Sequence, residues 1–89
     1  MTKNEQLKQV TDEILSCKVC NRLKKGMLVP GEGKANAKIV FVGEAPGKEE
    51  IITGLPFIGR AGKVLRELIS SVGLKPEDVF ITSAVKYLP

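Results

Sequence analysis

The sequence predicts an α/β fold in which one N-terminal helix precedes a βαβ unit. Two apolar, β-branched runs have strand length, Lys38 to Val42 (KIVFV) and Val79 to Ser83 (VFITS). Between them, Ala61 to Val72 carries a helical period with Val64, Leu65, Leu68, Ile69 and Val72 on one face. Two strands joined through a helix of this length run parallel with a right-handed crossover. Their carboxyl ends then lie side by side, which is where open parallel sheets bind ligands.

The first element spans residues 2 to 17. Thr2 and Glu5 stand at capping-box spacing, and Leu7, Val10, Ile14 and Cys17 fall on one apolar helical face. Cys17 and Cys20 then form a CKVC pair among Lys18, Arg22, Lys24 and Lys25. Two cysteines at this spacing can turn both thiolates toward one point, which is half of a tetrahedral metal or cluster site. A redox pair or two ordinary buried thiols are the alternatives, although no strand precedes the pair as a thioredoxin-like unit would require.

Residues 26 to 37 (GMLVPGEGKANA) read as a Gly/Pro-rich loop joining helix to strand. Gly31 and Gly33 do not form a phosphate-binding fingerprint, because they precede the first strand instead of leaving it. The stretch Gly43 to Gly62 (GEAPGKEEIITGLPFIGRAG) does leave that strand. It holds five glycines, two prolines, three carboxylates and one aromatic ring, which suits either a binding site or a long punctuated loop. Gly73 is the expected C-cap of the second helix, and Pro76 to Asp78 the turn into the last strand.

Length and composition narrow the function classes. A chain of 89 residues makes one domain at most, and a domain of this size buries only roughly 60 to 65% of its unfolded surface. With 43% hydrophobic and 27% charged residues it is neither disordered nor fibrous. No apolar run is long enough for a membrane span and no signal-peptide pattern opens the chain, so a cytoplasmic, monomeric protein is expected. A formal net charge of +4 favours anionic partners, nucleic acid among them.

The motifs themselves resemble a known family. GEAPG followed by GLPFIGRAG is similar to the first signature region of the uracil-DNA glycosylase superfamily, in particular its family four, the iron-sulphur enzymes of thermophiles. The Cys17/Cys20 pair, VPGEG, KIVFVGEAPG and VFITSAVKYLP follow in the family's order, so the resemblance covers nearly the whole chain. Family members are longer and carry a histidine motif further on, whereas these 89 residues contain no histidine. On this resemblance the chain is the N-terminal portion of a longer glycosylase-like domain, a three-layer sandwich around a parallel sheet.

The resemblance also implies chemistry and residues. Such an enzyme hydrolyses the N-glycosidic bond of uracil or another deaminated base in DNA, extruding the nucleotide and reading the isolated base by stacking and edge hydrogen bonds. By position, Glu44 and Glu50 match the catalytic acids of the first motif, and Ala45 offers a backbone amide near the base. Phe57 matches the ring that stacks on the base, although on sequence alone it is equally a core residue anchoring the loop. Glu49 reads as solvent-facing.

Ser83 stands where family four reads asparagine, whose amide pairs with the uracil edge. Serine offers one hydroxyl with a shorter reach, which leaves other deaminated bases open as substrates. Cys17 and Cys20 match two of four ligands to a 4Fe-4S cluster, but Tyr87 occupies the place of the third cysteine. The expectation is therefore a DNA repair glycosylase whose 89-residue portion is inactive alone. The alternatives are a superfamily member that binds DNA or a nucleobase without cleaving it, and an unrelated metal or redox domain built on CKVC.

Overall fold

The computed structural model describes residues 1–89. Helix α1 (Lys3–Leu15) opens on the expected capping box, in which Glu5 N–H donates to Thr2 Oγ1 and Thr2 N–H to Glu5 Oε1, both at 3.1 Å. It ends two residues earlier than its apolar period suggests. Ser16 is the C-cap, and Cys17 leaves the helix to cap a separate short helix α2 (Lys18–Leu23). The step is favoured because the Cys17 sulfur accepts an N–H bond at the start of α2, as N-cap side chains do.

The sheet has three strands, β1 (Glu32–Gly33), β2 (Ile39–Gly43) and β3 (Val79–Ser83), in the order β1-β3-β2. Strands β2 and β3 are parallel in the register Ile39↔Val79 to Gly43↔Ser83, as the βαβ reading requires. The crossover contains α3 (Glu50–Thr53), α4 (Arg60–Ser71) and a 3-10 turn, Pro76–Asp78. Strand β1 corrects the reading of VPGEG as a plain loop, for it pairs antiparallel with β3 as Glu32↔Ile81 and Gly33↔Phe80. Gly33, at φ +140°, allows that approach: a Cβ there would stand 2.5 Å from the Val79 carbonyl oxygen. The residues before it are among the best covered, with Val29 1% and Leu28 4% exposed.

The core lies between α4 and one sheet face. Ile69 packs with Val79 and Ile81, and Phe41, Phe57, Leu65 and Leu74 close around them. Strand alternation turns Val40, Val42, Phe80 and Thr82 to the other face, which α1 approaches without closing. Leu7 and Val10 look across a cavity of about 320 Å³ toward Val40 and Phe80, and no residue of α1 is buried. The layers of an α/β sandwich are thus present as one packed helix and one that stands off.

Part of the apolar patterning expected on α4 is uncovered. Val64, Leu68 and Val72 are 52%, 59% and 71% exposed, and only Ile69 of that face is buried. A helical period identifies a face that can be buried, and the sheet here is only wide enough to cover the edge of it that carries Leu65 and Ile69.

Candidate functional site

Where the two parallel strands end, the chain encloses a cavity of about 460 Å³, within the range of small-molecule sites. Its wall comes from the loop after β2, the Pro56–Phe57 turn, the first turn of α4, and the inward side chain of Ser83. The paired strands set the arrangement. Beyond the register Gly43↔Ser83, Ala84 N–H donates to the Gly43 carbonyl at 2.9 Å and Val85 N–H to the Glu44 carbonyl at 3.0 Å. The expected convergence of the two strand ends is therefore present.

Phe57 occupies the left-handed region at φ +51°, uncommon for a residue with a bulky side chain. Its ring packs against the core cluster and under Gly43, where a Cβ would come within 2.5 Å of its Cζ. The residue anchors the loop on the core, as one sequence reading had it, and also lines the cavity. Three neighbours hold the turn. Arg66 donates from Nε to the Phe57 carbonyl at 2.9 Å and from Nη2 to the Pro56 carbonyl at 2.8 Å. Gly62 lets α4 press onto the same peptide, because a Cβ there would lie 2.1 Å from the Phe57 carbonyl carbon and oxygen.

Glu50 supplies the third restraint. It is 9% exposed, and its carboxylate accepts three backbone amides, Gly47 at 2.9 Å on Oε1 and Ile58 at 2.9 Å and Gly59 at 2.8 Å on Oε2. Burial alone would push its pKa up, but the amides of Gly59, Ile58, Gly47 and its own backbone outweigh it and hold the group below the ordinary carboxylate range. An acceptor so engaged, and kept ionised, is poorly suited to take up a proton.

The other two carboxylates of the loop are placed differently. Glu44 is exposed, and its side chain is not part of the cavity wall although Ala45 beside it is. Glu49, read as solvent-facing, is exposed but also lines the cavity. A Cβ on Gly59 would stand 2.3 Å from Glu49 Oε2 and 3.4 Å from Glu50 Oε2, so the two acids flank the start of α4. That position is electrostatically favourable, because the helix dipole and free amides concentrate positive potential there.

Ser83 is 4% exposed and its hydroxyl donates to the Val85 carbonyl at 2.6 Å. Lys86 folds back over it, donating from Nζ to Thr82 Oγ1 at 2.8 Å and to the Ser83 carbonyl. Thr82 Oγ1 in turn donates to the Pro30 carbonyl at 2.8 Å, which ties the strand end to the VPGEG segment. Burial lowers the Lys86 pKa. Sequence reasoning passed over Arg66 and Lys86, since neither belongs to a recognisable spacing, and it gave Glu49 no place at the site.

Cys17 caps α2 and Cys20 lies within it, and both are free, half-buried thiols. Cys20 N–H donates to Cys17 Sγ at 3.4 Å, which holds the Cys17 thiol below its usual range, while the hydrogen bond to Cys17 raises Cys20. No group of three or more His, Cys, Asp or Glu side chains comes together to hold a metal. Two thiols fill two positions of a tetrahedral set, so the residues of this chain do not by themselves fit a four-thiolate cluster. No helix is long and apolar enough to cross a membrane.

Comparison with known proteins bears on this site directly. The model of the uracil DNA glycosylase superfamily matches residues 30–89, which include every residue of the cavity wall except Val29. Among curated proteins, the type-4 uracil-DNA glycosylase of Archaeoglobus fulgidus is 50% identical over 86 residues, covering 96% of this chain and 43% of that protein. The enzyme of the same name from Saccharolobus solfataricus is 48% identical over 87 residues, with 96% and 40% covered. That of Thermotoga maritima is 44% identical over 89 residues, with 99% and 46% covered. The chain thus spans less than half the length of these relatives.

Proposed function

The chain belongs to the uracil-DNA glycosylase superfamily, and from that premise we propose that it forms the base-pocket portion of a DNA repair glycosylase. The reaction is hydrolysis of the N-glycosidic bond of uracil or another deaminated base, and the partner is DNA. One observation carries the reading: Ala45, Phe57 and Ser83, far apart in sequence, line a single cavity at the carboxyl ends of β2 and β3.

In this reading a flipped base enters the cavity and lies on the Phe57 ring, a contact worth about 1 to 3 kcal/mol per stacked base. The Ala45 backbone and the Ser83 end of β3 face the base edge. The base leaves as an anion while positive charge builds on the sugar, so a carboxylate at the loop stabilises the cation and orients water. Glu44 is assigned that role, since its carboxylate is exposed beside Ala45. Glu50, engaged by three amides, is assigned to hold the loop in shape.

The 89 residues are further proposed to be a portion of a longer domain. Relatives more than twice this length and the open apolar residues Val40, Val42 and Leu68 support that. A non-catalytic base-binding protein is the second reading, favoured by the Ser83 hydroxyl being turned to the Val85 carbonyl. An abasic-site assay on uracil-containing and hypoxanthine-containing strands, using full-length protein that carries these residues, separates the two. Alkali-labile sites in either strand support the glycosylase, and tight binding with both strands left intact supports the second reading.

A further inference from the structure

We propose that Arg66 is a positioning residue that sets the Phe57 ring in the cavity. The role rests on the reading of Phe57 as the surface on which the base stacks, and it gives Arg66 no contact with substrate. A phenylalanine at φ +51° adopts a conformation that its own backbone disfavours, so neighbouring groups must select it. The structure supplies them on both sides of the peptide. Arg66 grips two successive carbonyls, those of Pro56 and Phe57, with two donors of one planar guanidinium. Glu50 grips the next two amides, those of Ile58 and Gly59.

Three consecutive peptide groups, from the Pro56 carbonyl to the Gly59 amide, are thus fixed by two side chains of opposite charge, and the Phe57 Cα lies between the first two. The guanidinium is suited to the task because its donors sit in a rigid fork, and fixing two carbonyls at once defines the orientation of the turn. Lysine at the same place has one mobile ammonium whose donors are not set in a rigid plane, so it defines the orientation of two carbonyls less sharply. The Phe57 ring reports the orientation directly through Gly43, since a Cβ on Gly43 would point at ring atoms Cζ and Cε2, 2.5 and 2.8 Å away. The Gly43 α-proton in that direction lies close enough to the ring edge for the ring current to shift it.

The test combines nuclear magnetic resonance with binding. In the unsubstituted chain the Gly43 α-protons should be split widely by the ring current. In Arg66→Met that splitting should collapse while the shifts of Val79 to Ile81 in the core stay in place. Arg66→Lys should be intermediate, and decides the matter where Arg66→Met does not fold. Affinity for a uracil-containing single strand should fall about ten-fold in Arg66→Met, the order of one lost base stack. An undiminished Gly43 splitting in a folded variant, whatever its melting temperature, overturns the proposal, because a purely structural role would move stability alone. A collapsed splitting with unchanged affinity leaves Arg66 as the residue that positions the ring and instead removes Phe57 from the base site.

Discussion

Replacing Glu50 tests whether the loop after β2 is held together by one carboxylate. Its two oxygens accept N–H bonds from Gly47, Ile58 and Gly59 at 2.8 to 2.9 Å. Glutamine keeps one acceptor oxygen and presents an NH₂ at the other position, so at least one amide faces a donor; alanine frees all three. Hydrogen bonds to a charged group are worth about 1.5 to 3 kcal/mol each, but the cavity lets water reach the freed amides, which reduces the loss. A loss of about 2 to 4 kcal/mol is expected for Glu50→Ala and somewhat less for Glu50→Gln. For a domain of this size that lowers the melting temperature by about 10 to 25 °C, from a total stability of only about 4 to 13 kcal/mol. The sign of the pH dependence follows from the pKa being held below the ordinary carboxylate range. The stabilisation is complete above the unfolded-chain value near about pH 4 and is lost as pH falls through the lower folded value. Thermal unfolding followed by circular dichroism should therefore show the gap between the chain and Glu50→Gln closing on acidification. A gap that stays constant from neutral to acid pH would refute the clamp.

Three further outcomes are expected. The +4 chain should bind single- and double-stranded DNA without sequence preference, and with about three to five phosphate contacts its affinity should fall about 20- to 130-fold for single strands and about 40- to 500-fold for duplex between about 50 and 200 mM salt; a flat titration would contradict electrostatic attachment. Because residues 1–89 bring only Cys17 and Cys20 together, iron and sulphide in anaerobically purified chain should stay well below one cluster per molecule, and near-stoichiometric values would overturn that. In full-length protein Ser83→Asn should raise excision of uracil relative to other deaminated bases, because an amide can pair with the uracil edge where the Ser83 hydroxyl is turned to Val85. Equal responses to every base would show that this position does not read the edge.

The elements were legible where local pattern and tertiary demand agree. Strand β3 has the limits that its apolar run indicates, β2 is displaced by one residue, and the capping box of Thr2 and Glu5 forms as its spacing requires. The misread segments are those where a distant partner decides. VPGEG gains a strand only because β3 offers an edge, and α4 buries Ile69 but leaves Leu68 open because periodicity says nothing about the width of the facing sheet. At the site, Ala45, Phe57 and Ser83 could be found from motif position and βαβ topology. Glu50 could be found but not its engagement, since its acceptors are filled by amides eight and nine residues away. Arg66 was illegible for the same reason, its ligands being backbone carbonyls that carry no side-chain signature.

The loop's three acids show how one motif divides its work. Glu44, Glu49 and Glu50 are the same residue type within seven positions, yet they meet three environments: open solvent beside Ala45, the cavity wall over Gly59, and a cage of three amides. A buried carboxylate with its acceptors filled stays ionised and rigid, which is what shaping a pocket demands. A carboxylate that must orient water or meet a developing cation needs a free oxygen and room to approach, and those belong to Glu44 and Glu49. On the proposed function, shape and chemistry are therefore assigned to different acids of the same stretch. The left-handed Phe57 turn is held from both sides, by Glu50 on the Ile58 and Gly59 amides and by Arg66 on the Pro56 and Phe57 carbonyls, so its hold involves neither Glu44 nor Glu49.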